Sequence, residues 1–286
     1  MGKVLNDLLD RLSLEKLEKN LFRGDSQDLG LGLIFGGQVM GQAISAAKAT
    51  VLDEYRVHSF HSYFLLKGKT DQPIIYDVER IRDGGSLATR RIKAIQDGQP
   101  IFYMTASFKA EELGLEHQTE MPDAPPPESL ISEQEMALLH SDILPDSICK
   151  KLVAEKPLEM RPVTLINPAD PEIMEAKQLI WVKANGTMPD EPFIHRYLLA
   201  YASDFNFLPT ALQQHGVSYC TEGMQVATVD HSMWFHHDFH LNDWLLYVIE
   251  SPVASDGRAL VRGQFFTKEG VLVASTVQEG LIRKKS

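Results

Sequence analysis

His61-Ser62-Tyr63-Phe64 in the first half of the chain is matched in the second by His231-Ser232-Met233-Trp234, an offset of 170 residues (231 − 61). The match then continues in order. Ile74-Ile75-Tyr76-Asp77-Val78-Glu79 faces Leu245-Leu246-Tyr247-Val248-Ile249-Glu250, Ala88 and Arg91 face Ala259 and Arg262, and Asp97-Gly98 faces Glu269-Gly270. Chance explains any one pair, but an ordered run whose offset drifts only from 170 to 172 predicts an internal duplication. Two copies are too few for a solenoid, so two fused units are expected.

Each copy carries the same succession of elements. In the first, Gly36-Gly37 opens an Ala- and Gly-rich segment, Gln38 to Val51, whose side chains are small enough for a helix packed on all sides. Four alternating runs follow, Val57 to Leu65, Ile74 to Arg82, Ala88 to Gln96 and Ile101 to Lys109, punctuated by Asp83-Gly84-Gly85 and Asp97-Gly98. They read as an antiparallel meander. The second half offers a helical stretch from Pro192 to Leu212, then runs at Gln225 to His236, Trp244 to Ser251, Ala259 to Thr267 and Val271 to Arg283. A buried helix enclosed by an antiparallel sheet, twice over, is an α+β architecture. Between the copies, Pro122, Pro125, Pro126 and Pro127 precede Glu128, Glu133 and Glu135, which predicts a linker and short helix over 116–156 rather than core. The halves are therefore expected at 1–115 and 157–286.

Composition narrows the classes of function. Lys and Arg number 28 against 39 Asp and Glu, a net charge of −11 that repels phosphate backbones, and no basic patch offsets it. Nucleic acid is not an expected partner. No apolar run approaches the roughly 20 residues of a membrane helix, so membrane insertion is not expected either. Met1 to Asn20 alternates leucines with charges, the pattern of an amphipathic helix rather than a secretory signal. Asn6 stands where a myristoylation motif needs Ser or Thr, and Lys284-Lys285-Ser286 is not a peroxisomal tail. Cys149 and Cys220 have no ligand-like spacing, neither a disulfide framework nor a zinc site, which fits a cytoplasmic location. Cys220, with no recognisable His partner, reads as a small buried apolar residue.

The common hydrolase signatures fail. Gly84-Gly85-Ser86-Leu87-Ala88 begins like a nucleophile elbow but has Ala88 where glycine belongs, and it lies in a hairpin turn. There is no phosphate loop, dinucleotide fingerprint or His-Glu-x-x-His motif, and no cofactor is expected. Asp204 stands out because it interrupts the nearly apolar stretch Tyr197 to Leu208. Two readings compete: Ser203 or Asp204 caps a second helical segment running into Leu212, or Asp204 is a general base whose pKa is raised by burial. His231, His236, His237 and His240 cluster, but strand alternation puts His231 and His237 on one face and His236 on the other, so a three-ligand metal site is not expected. By the same alternation His58 and His61 fall on opposite faces.

Tyr201-Ala202-Ser203-Asp204, the stretch Ala227 to His236 (ATVDHSMWFH) and Leu272 to Gly280 (LVASTVQEG) closely resemble the acyl-CoA thioesterase II family. Phe35-Gly36-Gly37-Gln38-Val39 and His58 to Phe64 add to the likeness, which runs in order from Leu21 to Ile282. The resemblance implies a double hotdog fold and hydrolysis of fatty acyl-CoA thioesters. It also implies that an Asp, a Thr and a Gln hold the attacking water, and these fall on Asp204, Thr228 and Gln278.

Elementary chemistry makes such a site workable without a covalent nucleophile. A thiol leaving group has a pKa of about 8.5 and needs little protonation near neutral pH, so one positioned base suffices. Backbone N–H groups at Gly36-Gly37 are candidates to receive the oxyanion. In the internal register Thr228 falls opposite His58 (228 − 170) and Gln278 opposite Ala106 (278 − 172), so the first half lacks the hydroxyl and amide and one site per chain is expected. Two alternatives stand beside this. A hotdog enoyl-CoA hydratase pairs its Asp with a His five residues later, where this chain has Pro209. A non-catalytic acyl-CoA carrier or sensor would use Asp204 only as a cap. Exposed hotdog sheet edges lead to the expectation of a homodimer or homotetramer.

Overall fold

In the computed structural model residues 2–30, 32–139 and 153–285 are described; Cys149 lies outside them. The amphipathic N-terminus divides in two. Helix α1 (Lys3–Leu12) buries Leu5, Leu8 and Leu12, and strand β1 (Glu15–Glu18) pairs with β2 (Leu21–Gly24). The Ala- and Gly-rich segment is helix α2 (Gly36–Lys48), buried along most of its length. Strands β3 (Arg56–Phe64), β4 (Ile74–Asp83), β5 (Leu87–Gln96) and β6 (Gln99–Lys109) follow. Asp97 and Gly98 both take positive φ in the β5–β6 turn, as a two-residue hairpin loop requires.

In the second half come α3 (Glu133–Leu139), β7 (Leu158–Pro162), β8 (Lys177–Ala184), α4 (Pro192–Ala202) and α5 (Phe207–Leu212), then β9 (Met224–Thr228), β10 (Asp230–Phe235), β11 (Leu245–Ser255), β12 (Arg258–Thr267) and β13 (Leu272–Lys284). The helical stretch from Pro192 to Leu212 is thus two helices. Asn206, in the left-handed region at φ 60°, turns the chain between them.

The strands form one antiparallel sheet in the order β1-β2-β4-β5-β6-β3-β10-β13-β12-β11-β8-β7, with β9 also on β13. Only β4-β5-β6 and β11-β12-β13 are true meanders, because β3 and β10 each join the far side of their meander and then pair with one another. The two halves therefore share a single sheet, and α2 packs against α4 on its inner side. A Cβ on Gly37 would lie 2.3 Å from the Tyr201 carbonyl, and one on Gly41 would lie 3.2 Å from that of Tyr197. Glycine four residues apart lets the two helix backbones touch.

Strand pairing corrects the register of the duplication. His61 pairs with Ser232 across the β3–β10 junction. A two-fold axis normal to an antiparallel pair passes through the midpoint of a residue pair, so equivalent residues are an odd number apart and share a face. The offset here is 171 (232 − 61), which makes buried Phe60, not exposed His61, the counterpart of buried His231. The bulges agree. Pairing of β3 with β6 slips by one residue between Val57 and Ser59, and pairing with β13 slips by one between Thr228 and Ser232. Thr228 accordingly corresponds to Val57 rather than His58, whereas Gln278 does correspond to Ala106.

The same bulge corrects the facing of the first-half histidines. His58 Nε2 lies 2.8 Å from Ser107 Oγ, and Ser107 shares its alternating row with Thr105, the partner of His61. His58 and His61 are thus on one side, because the bulge resets the alternation. Similarly β10 ends at Phe235, so alternation does not extend to His237.

Residues after β6 do more than link. Met121, Ala124 and Leu130 pack on Trp181, Trp244, Leu246, Phe266 and Leu272, a second apolar cluster, and Trp181 Nε1 donates to the Pro125 carbonyl at 2.8 Å. Proline frees backbone carbonyls from strand pairing, and here they accept side-chain donors: Arg161 reaches the carbonyls of Pro127 and Leu130 at 2.9 Å. Cys220 is exposed, against the expectation of a buried residue, because it lies in a turn where its N–H donates to Ser218 Oγ at 3.0 Å. No described helix is long and apolar enough to cross a membrane.

Candidate active site

Asp204 follows α4 directly, and the chain turn through Asn206 holds it beside the N-terminus of α2. It caps neither helix. Asn206 occupies the N-cap of α5 and Ser203 the C-cap of α4, while Asp204 Oδ2 accepts the N–H of Gly37 at 3.1 Å. A Cβ on Gly36 would meet that oxygen at 2.6 Å, so glycine there is what lets the carboxylate reach the helix end. The cap reading of Asp204 is therefore replaced by a tertiary one. Helix termini carry unpaired N–H groups and partial positive charge, a favourable seat for a carboxylate. It follows that the Gly37 N–H is engaged by Asp204 rather than pointed at an oxyanion.

Thr228 and Gln278 converge on the same carboxylate. Both side chains bear on the Asp204 carboxyl as polar neighbours that lower its pKa, and Gln278 Nε2 donates to Thr228 Oγ1 at 2.9 Å. Burial pushes the Asp204 carboxyl up from 3.8 to about 6, against the opposing pull of the Gly37, Gln278 and Thr228 donors. Desolvation thus wins over these polar neighbours, and Asp204 titrates close to neutrality. Aromatic packing reinforces the dry setting: Phe207 of α5 stacks on Tyr247 of β11 with ring centroids 5.8 Å apart, and Tyr247 donates to the Ser203 carbonyl at 2.8 Å.

His231, to which sequence reasoning assigns no catalytic role, sits in the middle of this cluster. Its side chain is fully buried, with Nδ1 2.6 Å from Gln278 Oε1 and Nε2 3.0 Å from Ser203 Oγ. Thr228 and His231 are three apart and should oppose one another on a regular strand. The bulge at Val229 brings both to the inner face, which is why simple alternation missed it. The first-half counterparts Val57, Phe60 and Ala106 offer no polar atom on their side chains. Among the described residues no group of three His, Cys, Asp or Glu is disposed to hold a metal ion.

Asn206, Pro209, Thr210 and Gln213, in the segment that follows Asp204, form one wall of a cavity of about 590 Å³. Leu165, Ile166, Ile180 and Val217 add apolar side chains to it, and Glu133, Lys156 and Glu172 charged ones.

One antiparallel sheet wrapping two central helices, with a polar cluster at their meeting point, defines the double hotdog class. A conserved protein of unknown function with hot dog fold from Alicyclobacillus acidocaldarius superposes with a TM-score of 0.79 at 19% identity, covering 98% of this chain and 99% of that one. Family models agree at closer range: residues 149–281 match acyl-CoA thioesterase and residues 25–109 match the acyl-CoA thioesterase N-terminal domain. The chain is 45% identical over 283 residues to acyl-CoA thioesterase 2 of Haemophilus influenzae, covering 99% of each. It is 39% identical to human acyl-coenzyme A thioesterase 8 over 96% of this chain and 88% of the relative. The crystal structure of the acyl-CoA thioesterase II TesB2 from Mycobacterium marinum superposes with a TM-score of 0.80 at 38% identity, covering 98% and 99%. This chain belongs to the acyl-CoA thioesterase family.

Proposed function

We propose that this thioesterase hydrolyses fatty acyl-CoA to free fatty acid and coenzyme A by direct attack of water, with Asp204 as general base and Thr228 and Gln278 holding the water. The observation that carries the reading is the convergence of the Thr228 and Gln278 side chains and the Gly37 N–H on a carboxylate whose pKa burial raises to about 6. A base of that pKa is ionised at neutral pH yet basic enough to take a proton as water attacks. The hydroxyl and amide orient the water's lone pair toward the carbonyl carbon. The thiolate then leaves with little need for an acid.

The cavity beside α5 suits the acyl chain, being within the size range of small-ligand pockets and walled in part by the segment that follows Asp204. The first-half counterparts Val57, Phe60 and Ala106 support one site per chain. The same reading keeps halves at 1–115 and 157–286 joined by 116–156. It also keeps a homodimer or homotetramer, which the exposed strand β1 at one end of the sheet favours, and a cytoplasmic location. Incubation with palmitoyl-CoA and a thiol reagent separates an enzyme from a carrier: turnover releases free thiol catalytically, whereas a carrier binds one equivalent and releases none.

A further inference from the structure

The hydrogen-bond donors around Asp204 form a directed series that begins outside the three residues already assigned. Gln278 Nε2 donates to Thr228 Oγ1 at 2.9 Å, which leaves the Thr228 hydrogen free for the carboxylate beside it. Gln278 Oε1 therefore points the other way, where it lies 2.6 Å from His231 Nδ1. An amide turned end for end would set Oε1 toward the Asp204 carboxylate, acceptor against acceptor, and would draw the Thr228 hydrogen away from that carboxylate. Only a donor at His231 Nδ1 prevents that. His231 is buried, and burial lowers its pKa to about 4, so the ring is neutral at working pH and carries one hydrogen. The other nitrogen, Nε2, then has to accept, which requires the Ser203 hydroxyl at 3.0 Å to turn its one hydrogen to the ring rather than to the Ala200 carbonyl at 2.8 Å.

Resting on the assignment of Asp204, Thr228 and Gln278 above, we infer that His231 is a positioning residue for the thioesterase reaction: as the Nδ1–H tautomer it fixes the Gln278 amide with Oε1 toward the ring and Nε2 toward Thr228, on the side of Asp204. The ring's hydrogen-bond partners are Gln278 and Ser203, not Asp204, so it acts through Gln278. Phe60, at the equivalent position of the first half, shows that the fold accepts a phenyl ring of similar shape where no such amide needs orienting.

The test compares His231→Phe, which keeps ring volume without a donor, with His231→Asn, whose amide nitrogen can stand near the place of Nδ1. His231→Phe should lower kcat about 10- to 100-fold, the usual scale for an orienting outer partner, with KM nearly unchanged, and His231→Asn should recover much of the loss. The acid limb of the kcat profile should move to higher pH in His231→Phe, because donors that hold the Asp204 carboxylate ionised are lost. The other titratable groups against Asp204 do not interfere: Tyr247 is raised well above the usual phenol range by burial, and His231 is neutral. Adding His231→Phe to Gln278→Ala should cost nothing further. Ring ¹⁵N shifts of His231 in the wild-type protein decide the point without relying on any variant: protonated Nδ1 is expected, and protonated Nε2 at neutral pH overturns the inference. So does a His231→Phe enzyme with wild-type kcat and acid limb while Asp204→Asn is inactive; an active Asp204→Asn enzyme would instead overturn the mechanism beneath it.

Discussion

The Gly37 N–H donates to Asp204 Oδ2 at 3.1 Å, joining residues 167 positions apart and tying the start of the first-half helix to the end of the second-half helix. Each half supplies what the other cannot: the glycine pair comes from one, the carboxylate, hydroxyl and amide from the other. The site is therefore a product of the fusion rather than of either copy.

Glycines 36 and 37 should be separable by substitution. In Gly36→Ala the new Cβ meets Asp204 Oδ2 at 2.6 Å and the Phe64 ring at 3.0 Å, so the carboxylate is displaced and kcat falls with little loss of Tm. In Gly37→Ala it meets the Tyr201 carbonyl at 2.3 Å, and backbone has to move, which should destabilise by about 1–3 kcal/mol. Melting curves and thiol release on both variants check this. An active Gly36→Ala enzyme would mean that the carboxylate position is not critical.

Thr228→Ser should remain active, whereas Thr228→Val should lose about 10- to 100-fold in kcat, the worth of a hydrogen bond to a charged group. The hydroxyl accepts from Gln278 and keeps its hydrogen free for Asp204, and a methyl offers neither. Equal rates for the two would assign Thr228 a packing role.

His58→Gln should keep most activity. Its ring faces Ser107 rather than the inner cluster, and Val57 occupies the position equivalent to Thr228. A kcat loss beyond about a hundredfold, the scale of a missing general base, would show that the first half contributes chemistry.

Much of this arrangement is legible in the sequence, and the failures have physical causes. The duplication shows in Tyr76 and Tyr247 or Arg91 and Arg262, which face alike in both copies. Its register at His61 does not: the identical His-Ser pairs align at 170, one residue short of the 171 that strand pairing gives, and residue identity carries no information on which face each His takes. Asp204 is visible as a lone charge in an apolar stretch, but whether it caps a helix or meets Gly37 depends on a contact made 167 residues away. His231 is hidden by the bulge at Val229: only the slipped register puts it on the side of Thr228. Strand β8 has no such excuse, since Leu179-Ile180-Trp181-Val182 between Lys177 and Lys183 is a short apolar run of the kind a covered strand produces.

The rate should follow ionisation of Asp204. With its pKa raised to about 6, kcat should climb through an acid limb near that value and level off toward neutral pH. An acid limb near 4, the ordinary carboxylate range, would mean that the base is solvated or is another group.

Asp204→Asn tests the central claim most directly, through kcat, palmitoyl-CoA affinity and thermal stability measured on one preparation. Asparagine keeps an oxygen for the Gly37 N–H but cannot take a proton from water, so kcat should fall about 10²- to 10⁴-fold while acyl-CoA still binds. Stability should move oppositely. A carboxyl whose folded pKa lies above its unfolded value stabilises fully below about pH 4 and loses that contribution as pH rises through about 6. The neutral amide escapes this loss, so the variant should be more stable than wild type at pH 8 by about 1–3 kcal/mol, with the difference shrinking toward pH 4. A folded Asp204→Asn protein that turns over palmitoyl-CoA at the wild-type rate would contradict the account.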